Sequence, residues 1–315
     1  MATVSPGSRI ALTGATGFVG KHLLQLLVDT GYRVSALTRR DPTLQHNNVD
    51  WVRGDLDDKP ALQSLVRNAD AVVHVAGLIK ARRKQDFFNV NVRGTWSVLE
   101  ALQQSDRPTR FIHISSLAAR EPGLSHYAAS KAEAEAAIKA SPAATDWTIL
   151  RAPGIYGPGD EETLFFFQTA MSRLPILPGS RSARTSLVHV HDFNRAILTA
   201  LESPALIGRT ADVHDDAPNG YLLKDVLALI NSEAANPVHI PGLLLRALGG
   251  ANLVIGRALN RTPSLTPGKA RELTHPDWVC RDRTLVECTD WTPWIKAERG
   301  LPETRDWYRL HGYLK

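Results

Sequence analysis

Short apolar runs alternate with longer stretches of helical periodicity through the first half of the chain. The apolar runs are rich in residues that favour strands, and the segments between them place apolar side chains three and four apart, which is typical of amphipathic helices. The predicted strands lie in the segments 9–13 (RIALT), 32–39 (YRVSALTR), 49–56 (VDWVRGDL), 70–77 (DAVVHVAG) and 109–116 (TRFIHISS). This alternation predicts an α/β fold with a doubly wound parallel sheet.

A glycine-rich turn joins the first predicted strand to the first predicted helix. Gly14, Gly17 and Gly20 recur every three residues in GATGFVG, directly before the helical stretch KHLLQLLVDTG, and Gly31 is predicted to close that helix. Glycines at such a turn let the backbone approach a pyrophosphate, while the helix N-terminus offers free N–H groups and the positive end of its dipole. The turn therefore predicts a dinucleotide-binding loop.

The end of the second predicted strand bears on which dinucleotide binds. The segment LTRRD places Arg39 and Arg40 where an acidic residue would hydrogen-bond the ribose of NAD. Guanidinium groups match the geometry of phosphate and keep their charge at any working pH. Arg39 and Arg40 therefore favour NADP(H). Asp41 could still reach a ribose, so NAD(H) stays open. The alternative interpretation is that both arginines are solvated charges in a loop.

The composition is that of a soluble globular protein. The 315 residues, 43% hydrophobic and 22% charged, suffice for one large domain or two of ordinary size. Cys280 and Cys288 are too few for a disulfide framework, which indicates a reducing compartment. Neither a secretory signal nor a run long enough to span a membrane is visible, so we expect a cytoplasmic protein.

The net charge of +5 favours an anionic partner. The basic residues are scattered and no motif typical of nucleic-acid binding occurs, so we expect no nucleic-acid partner. A phosphate-bearing cofactor or an anionic membrane surface would account for the surplus equally well. Burial in or beside strands explains four histidines without a metal ion, and Asp192 is predicted to begin and cap a helix. These histidines are His74, His113, His189 and His191.

Tyr127 and Lys131, in the segment YAASK, are four residues apart and so share one face of a predicted helix. That spacing alone is common, but together with other motifs it resembles the extended short-chain dehydrogenase/reductase family, also called the NAD-dependent epimerase/dehydratase family. The resemblance covers at least residues 9–203. It rests on TGATGFVG (13–20), GDL (54–56), HVAG (74–77), NVRGT (91–95), ISS (114–116), YAASK (127–131), LRAPGIYGPGD (150–160) and LVHVHDF (187–193).

The resemblance implies that Ser116, Tyr127 and Lys131 are catalytic. A free tyrosine has a pKa near 10, so we expect the Lys131 ammonium, with the oxidised nicotinamide, to lower the pKa of Tyr127. Lys131 would also hold the nicotinamide ribose. Ser116, rather than its neighbour Ser115, would hydrogen-bond the substrate oxygen as charge develops on it.

The same resemblance implies a set of cofactor contacts and two further substrate-side residues. The implied cofactor-binding residues are Gly14, Thr16, Gly17, Phe18, Val19, Gly20, Arg39, Arg40, Asp55, Leu56, Ala76, Gly77, Tyr127, Lys131 and Pro153. On the substrate side, Asn91 would steady the active site, with plain helix packing as the alternative, and Arg184 resembles an arginine that touches the diphosphate in nucleotide-sugar enzymes. Ala152 stands where many relatives carry proline, which affects the loop but no proton-transfer group.

The predicted organisation is a Rossmann domain over residues 1–155 and roughly 185–208, with a substrate-binding lobe over 156–184 and 209–315. Within the lobe, the leucine-rich segment 240–261 carries Arg246, Arg257 and Arg261. We expect a basic amphipathic helix pair there, which lies on a membrane surface or lines an apolar substrate channel. Packing on the protein's own core is the alternative.

These features predict an NAD(P)-dependent oxidoreductase that transfers a hydride between nicotinamide and a ketone or secondary alcohol. After ISS the chain continues LAARE, without the threonine-acid-acid signature of sugar dehydratases, and it resembles ketoreductase-type members, including hydroxysteroid dehydrogenases and ceramide-pathway reductases. The expected substrate is a bulky, lipid-like small molecule. A nucleotide-sugar epimerase with recycled NAD and a non-catalytic cofactor-binding subunit are the alternatives, and peripheral membrane contact and a homodimer stay open.

Overall fold

The protein alternates strands and helices along most of its length. The computed structural model describes residues 4–40, 42, 46–105, 109–259 and 261–314, apart from the side chains at positions 257 and 258. The strands are β1 (Arg9–Thr13), β2 (Arg33–Thr38), β3 (Val49–Arg53), β4 (Ala71–His74), β5 (Arg110–Ser116), β6 (Trp147–Ala152), β7 (Gly154–Tyr156), β8 (Ile176–Pro178), β9 (Arg184–Thr185), β10 (Leu187–His189), β11 (Arg209–Asp212), β12 (Tyr221–Leu222), β13 (Val238–Ile240) and β14 (Asp277–Trp278).

Helices connect these strands. They are α1 (Phe18–Asp29), α2 (Lys59–Val66), α3 (Lys84–Phe88), α4 (Gly94–Gln103), α5 (His126–Ala140), α6 (Leu164–Ala170), α7 (Val190–Glu202), α8 (Leu223–Ile230), α9 (Gly242–Ala258), α10 (Pro267–Thr274), α11 (Thr284–Cys288) and α12 (Ala297–Leu310). A π-helix (Asn89–Arg93) runs directly into α4, and short 3₁₀ helices follow β5 and α7.

Seven strands form one parallel sheet in the order β3-β2-β1-β4-β5-β6-β11. The chain winds outward from β1 in one direction through β3, then returns to β4 and winds in the other. The predicted doubly wound α/β fold is confirmed. In such a sheet the carboxyl ends of β1 and β4 border the crevice where a dinucleotide binds.

Helices cover both faces of this sheet. Its central strands are continuous apolar runs because their side chains are buried on both faces. One core cluster joins the sheet to α1 and α7, and a second joins its other face to α2, α4 and α5. A third cluster lies in the smaller lobe, around the buried side chains of Tyr156, Phe167 and Tyr308. The first helix ends as expected, because Gly31 adopts φ +91°, which favours glycine.

The structure differs from the predicted domain boundary at residue 208. Strand β11 pairs with β6 at the edge of the large sheet, although the predicted boundary assigns it to the substrate lobe. Leu285 and Trp291 also pack in the core of the larger unit. The C-terminal third of the chain therefore contributes to both units.

Asp192 anchors a distant loop and does not cap a helix. Helix α7 begins two residues earlier than predicted, with the His189 side chain accepting a hydrogen bond from the His191 N–H. The buried carboxylate of Asp192 instead accepts the N–H groups of Trp294 and Ile295, at 2.9 and 2.7 Å. The N-terminal capping prediction was wrong because two residues before Asp192 already have helical geometry.

The leucine-rich segment 240–261 forms one helix, not the predicted pair. Ile240 ends strand β13, and α9 then runs without a break through most of the segment. Among the described helices, none is long and apolar enough to cross a membrane. The side chain of Arg257 lies outside the described residues.

Candidate active site

The turn between β1 and α1 passes very close to the end of β4. Gly14 adopts φ +74°, and a Cβ atom there would lie 2.7 Å from the backbone nitrogen of Ala76. A Cβ atom on Gly20 would collide with the carbonyl oxygen of Gly14. Only glycine permits this approach, since backbone atoms cannot move aside as a flexible side chain can.

The start of α1 is suited to an anionic group. Gly17 occupies the N-cap position, no side chain caps the helix, and its first turn has no acidic residue. The backbone N–H groups there remain available, and the helix dipole favours negative charge at this end. Thr16 is exposed, whereas Phe18 and Val19 are half-buried. These residues fit the pyrophosphate of a nicotinamide dinucleotide.

Two further strand ends lie at the same edge of the sheet. Arg39 and Arg40 follow β2 and are both exposed, and the Thr38 hydroxyl donates to the carbonyl oxygen of Arg40 at 2.7 Å. After β3, Asp55 is exposed and accepts the N–H of Asp57 at 2.9 Å. Asp41 lies outside the described residues.

Leu56 and Gly77 show how closely the surrounding elements pack at this edge. A Cβ atom on Gly94 would lie 2.6 Å from Leu56 Cδ1, so Leu56 packs directly against α4. A Cβ atom on Gly77 would lie 3.4 Å from Asn91 Oδ1 and 4.0 Å from Lys131 Nζ. The segment after β4 thus borders the lysine of the YAASK motif.

Asn91 joins this segment to α5. Its buried amide accepts the N–H of Leu78 at 2.7 Å and donates to the carbonyl oxygen of Leu78 at 3.0 Å and to Ser130 Oγ at 2.9 Å. With its donors and acceptor engaged, Asn91 steadies the polypeptide around the site. Direct contact with a substrate would require breaking these bonds.

The three residues implied as catalytic meet at the start of α5 and the end of β5. Ser125 caps α5 by accepting the N–H of Ala128 at 2.9 Å, and Tyr127 and Lys131 follow on one face. Ser116 is the last residue of β5, and its hydroxyl accepts the N–H of Ala118 at 3.2 Å.

Burial sets the protonation states of Tyr127 and Lys131. Desolvation raises the pKa of Tyr127 to about 12, polar contact with Ser116 lowers it, and the charges of Glu272 and Glu162 raise it further. Desolvation lowers the pKa of Lys131 to about 8, partly offset by the charge of Glu135. The expected fall in the tyrosine pKa is therefore not produced by the protein's own groups, because desolvation is the largest influence on this pKa and outweighs the lowering by Ser116.

His113 is a neighbour of Lys131 that the sequence reasoning treated as purely structural. Lys131 Nζ donates to the carbonyl oxygen of Ile114 at 2.6 Å and lies 3.4 Å from His113 Nε2. Burial, the charge of Lys131 and nearby His74 lower the pKa of His113 well below its usual value, so its imidazole is neutral. The pairing of β4 with β5 places His74 opposite His113, whereas the contact of His113 with Lys131 exists only once α5 packs beside β5, so no local pattern in the sequence signals it.

Glu135 was also missed, although it lies one helical turn beyond Lys131. This buried carboxylate accepts the Ser115 hydroxyl at 2.6 Å and two guanidinium N–H groups of Arg151, at 2.9 and 2.7 Å. The network ties α5 to β5 and β6. It also directs the Ser115 hydroxyl to Glu135, so Ser116 is the serine left beside Tyr127.

A cavity of about 200 Å³ opens beside Tyr127. Its walls come from the segment 79–87, from the start of α5, and from α9 and α10 with the loop between them. Arg184 lies in strand β9, does not line this cavity, and donates to the carbonyl oxygen of Asn219 at 2.9 Å. Pro153 lies half-buried between β6 and β7.

The sequence profile of the NAD dependent epimerase/dehydratase family matches residues 10–213. The chain belongs to this family. The resemblance noted from the motifs is thereby confirmed, as is the prediction of a nicotinamide-dependent enzyme.

Named relatives extend the similarity beyond the matched region. The chain is 40% identical to a ceramide reductase of Caulobacter vibrioides, over 100% of this chain and 98% of the relative. It is 28% identical to a 3 beta-hydroxysteroid dehydrogenase/Delta 5-->4-isomerase of Mycobacterium tuberculosis, over 61% of this chain and 60% of that protein.

A solved structure of a UDP-glucuronic acid 4-epimerase from Bacillus cereus, in complex with UDP-glucuronic acid and NAD, superposes with a TM-score of 0.72. The two sequences are 19% identical, and the match covers 96% of this chain and 99% of that one. At this identity the similarity shows a shared fold.

Proposed function

We propose that the protein is an NADPH-dependent reductase that converts a ketone of a ceramide-like lipid to a secondary alcohol. The observation that carries this proposal is the 40% identity to a ceramide reductase along the whole chain. Ser116 at the end of β5 lies beside Tyr127 and Lys131 at the start of α5, and Tyr127 lines the cavity, which supports the reaction class.

The protonation state of Tyr127 supports reduction as the favoured direction. Because its pKa is raised to about 12, the phenol keeps its proton at neutral pH. The bound nicotinamide supplies the hydride that the carbonyl carbon accepts. Tyr127 Oη then donates its proton to the carbonyl oxygen, and the Ser116 hydroxyl orients that oxygen as negative charge develops on it.

Lys131 acts on the neighbouring groups in this proposal. Its ammonium holds the nicotinamide ribose through its donors, and the carbonyl oxygen of Ile114 and the neutral ring of His113 fix its position. Glu135 supports the charged form of the lysine from one turn away.

The preference for NADPH rests on Arg39 and Arg40. Both side chains are exposed at the end of β2, where the adenosine ribose lies in folds of this type. A phosphate on that ribose would meet two guanidinium groups, whereas NAD offers them only hydroxyls.

The cavity suits the polar, reacting part of a lipid more than a whole lipid molecule. Its volume of about 200 Å³ is below the roughly 300–1,000 Å³ of sites that enclose drug-sized ligands. Tyr127 and the neighbouring Phe87 ring, 6.2 Å away between centroids, lie at one side, and Leu253 of α9 lies at another. Acyl chains would extend past α9 toward the protein surface.

The test is to follow NADPH oxidation with a ceramide that carries a ketone in place of one hydroxyl. We expect one NADPH to be consumed for each ketone reduced, and little consumption with nucleotide sugars. Conversion of a nucleotide sugar to its epimer with no net change in cofactor would replace this proposal with the epimerase alternative. A protein that binds NADPH but turns over neither substrate would support the non-catalytic alternative.

A further inference from the structure

Helix α9 exposes a row of large apolar side chains, which we call the α9 surface. It consists of Leu243, Leu244, Leu248, Val254, Ile255 and the adjoining Leu259, which are between 48% and 73% exposed. The opposite side of the helix faces the protein. There Gly249 and Gly256 allow close approach, since a Cβ atom on Gly249 would lie 2.7 Å from the backbone of Thr266.

The glycines therefore settle how the helix is oriented. Asn252, on the same side as Gly249, donates to the carbonyl oxygen of Leu265 at 3.1 Å and fixes the helix against the following loop. The leucines of the α9 surface cannot turn inward without breaking these contacts. An exposed apolar patch of this kind on a folded protein marks an interaction surface.

Basic residues predominate around the α9 surface, although Glu272 lines the adjoining cavity and pairs with Lys269 at 3.1 Å, and Glu162 pairs with Lys80 at 2.7 Å. From Ala234 to Arg271 the chain contains no Asp or Glu, although the whole protein has 32 acidic residues. The same segment contains five basic residues: Arg246, Arg257, Arg261, Lys269 and Arg271. Segment 80–84, on the facing wall of the cavity, adds four more in the sequence KARRK.

This distribution of charge distinguishes between two possible partners of the α9 surface, a second copy of the chain and an anionic membrane. A second copy of the chain would bring a like-charged rim against this one, which disfavours association. The surface of a bilayer that contains anionic lipids offers both an apolar interior for the leucines and negative charge for the basic rim.

We infer that the α9 surface lies in the plane of an anionic lipid membrane and that the cavity beside Tyr127 opens toward that membrane. Leu253 of α9 and Pro263 of the following loop line the cavity together with Tyr127, so one wall continues from the α9 surface to the candidate active site. The apolar side chains would enter the bilayer to a depth of about 5–10 Å. The route for the substrate rests on the proposed function, whereas membrane binding does not.

The experiment is co-sedimentation of the full-length protein with phosphatidylcholine vesicles, made with and without phosphatidylglycerol. We expect binding to the anionic vesicles, and a loss of that binding as salt rises from 0.1 to 1 M, because the screening length falls from about 10 to about 3 Å. Arg246→Gln should weaken binding about fivefold, since one basic residue near such a surface contributes about 1 kcal/mol.

The apolar contribution is tested with the double variant Leu244→Gln/Leu248→Gln. We expect it to lose at least about tenfold in vesicle affinity for each leucine removed. Leu310→Gln and Arg67→Gln, at exposed positions on other elements, serve as matched controls and should bind as the wild type does. Circular dichroism confirms that each variant is folded.

Three results would overturn the inference. They are equal binding to both vesicle types, loss of binding in the control variants, and a dimer in sedimentation equilibrium that the double variant abolishes while no vesicle binding occurs. Because sedimentation needs neither cofactor nor substrate, a failure of the proposed reduction would leave its result unchanged. Conversely, a protein that does not bind vesicles but reduces a water-soluble ketone would refute membrane binding by the α9 surface and leave the proposed reduction intact.

Discussion

The sheet edge around Lys131 and the surface of α9 differ in how their side chains are partnered. At the sheet edge, buried polar groups such as Asn91 and Glu135 each make several hydrogen bonds. On α9, large apolar side chains face solvent, and seven of the fifteen exposed large hydrophobic residues in the described chain fall between Val238 and Leu259. Asn91 and Glu135 thus find their partners within the chain, although His113 Nδ1 is buried without a hydrogen bond to the described residues, whereas the apolar side chains of α9 lie against solvent.

Substitutions in these two regions should therefore have different consequences. Groups that hold each other in a low-dielectric interior are costly to remove, because the remaining partner is left buried without a bond. Side chains that await an external partner contribute little to folding and much to binding. Substitutions at the sheet edge should therefore lower turnover or stability, whereas substitutions on α9 should lower association and leave turnover and stability nearly unchanged.

The largest effect is expected at Tyr127. Tyr127→Phe keeps the ring but removes the hydroxyl proposed to donate the proton, so turnover should fall about 10²- to 10⁴-fold while NADPH affinity changes little. Steady-state kinetics and a cofactor titration measure the two quantities. Tyr313→Phe, at an exposed tyrosine near the C-terminus, is the control, and a Tyr127→Phe enzyme with wild-type turnover would refute the assigned role.

The second largest effect is expected on the preference between NADPH and NADH. In the proposed NADPH complex Arg39 contacts the ribose phosphate, so Arg39→Asp would remove that partner and add a repelling charge, and the ratio of NADH to NADPH dissociation constants should fall about tenfold to a hundredfold. Titration calorimetry with both cofactors gives the ratio. Arg33→Asp, at the opposite end of the same strand, should leave it unchanged. Equal affinities of the wild type for the two cofactors would contradict the interpretation of both arginines.

The free energy of unfolding should depend on the hydrogen-bond network around Glu135. Glu135→Gln removes the charge that Arg151 and Ser115 share, and we expect a loss of about 2 kcal/mol in the free energy of unfolding. Removing one partner of a fully buried pair costs about 3–5 kcal/mol, but the Arg151 side chain remains 24% exposed, which reduces the penalty. Denaturant titration measures the loss. Glu133→Gln, exposed on the same helix, is the matched control. Equal stability of the two variants would show that the Glu135 carboxylate does not stabilise the fold.

The smallest effect is expected on α9. Leu248→Ala should change the free energy of unfolding by no more than about 0.5 kcal/mol, because the side chain is already 48% exposed. The same substitution at Leu99, which is 1% exposed in α4, should cost about 2–5 kcal/mol. Similar losses at both positions would mean that α9 contributes to the core after all.

The sequence predicted the sheet edge well because local rules determine it. Glycine spacing, strand periodicity and the Tyr127–Lys131 interval each express geometry that a short segment carries by itself. The ends of β2 and β3 also followed from the hydrophobic pattern to within a few residues. Gly31 ended α1 for the same local reason.

Contacts between distant segments were not predictable in this way. Glu135 meets Arg151 and Ser115 only once β5, β6 and α5 are assembled, and Asp192 meets Trp294 across a long stretch of chain. The edge strand β11 is only four residues long and follows α7 after a short 3₁₀ helix, and its place in the sheet depends on pairing with the distant strand β6. Helix α9 was recognised as amphipathic, but only Gly249 and Gly256 in contact with their neighbours show which side faces outward.

The hydroxyl of Ser125 is one of the groups that join α5 to α10. It accepts the N–H of Ala128 at the first turn of α5 and donates to the carboxylate of Glu272 in α10. Any hinge motion that moves α10 away from α5 must break the second of these bonds. Opening of the cleft and loosening of the turn that carries Tyr127 are thus mechanically coupled, so the position of the Tyr127 ring is less well fixed when the cleft is wide.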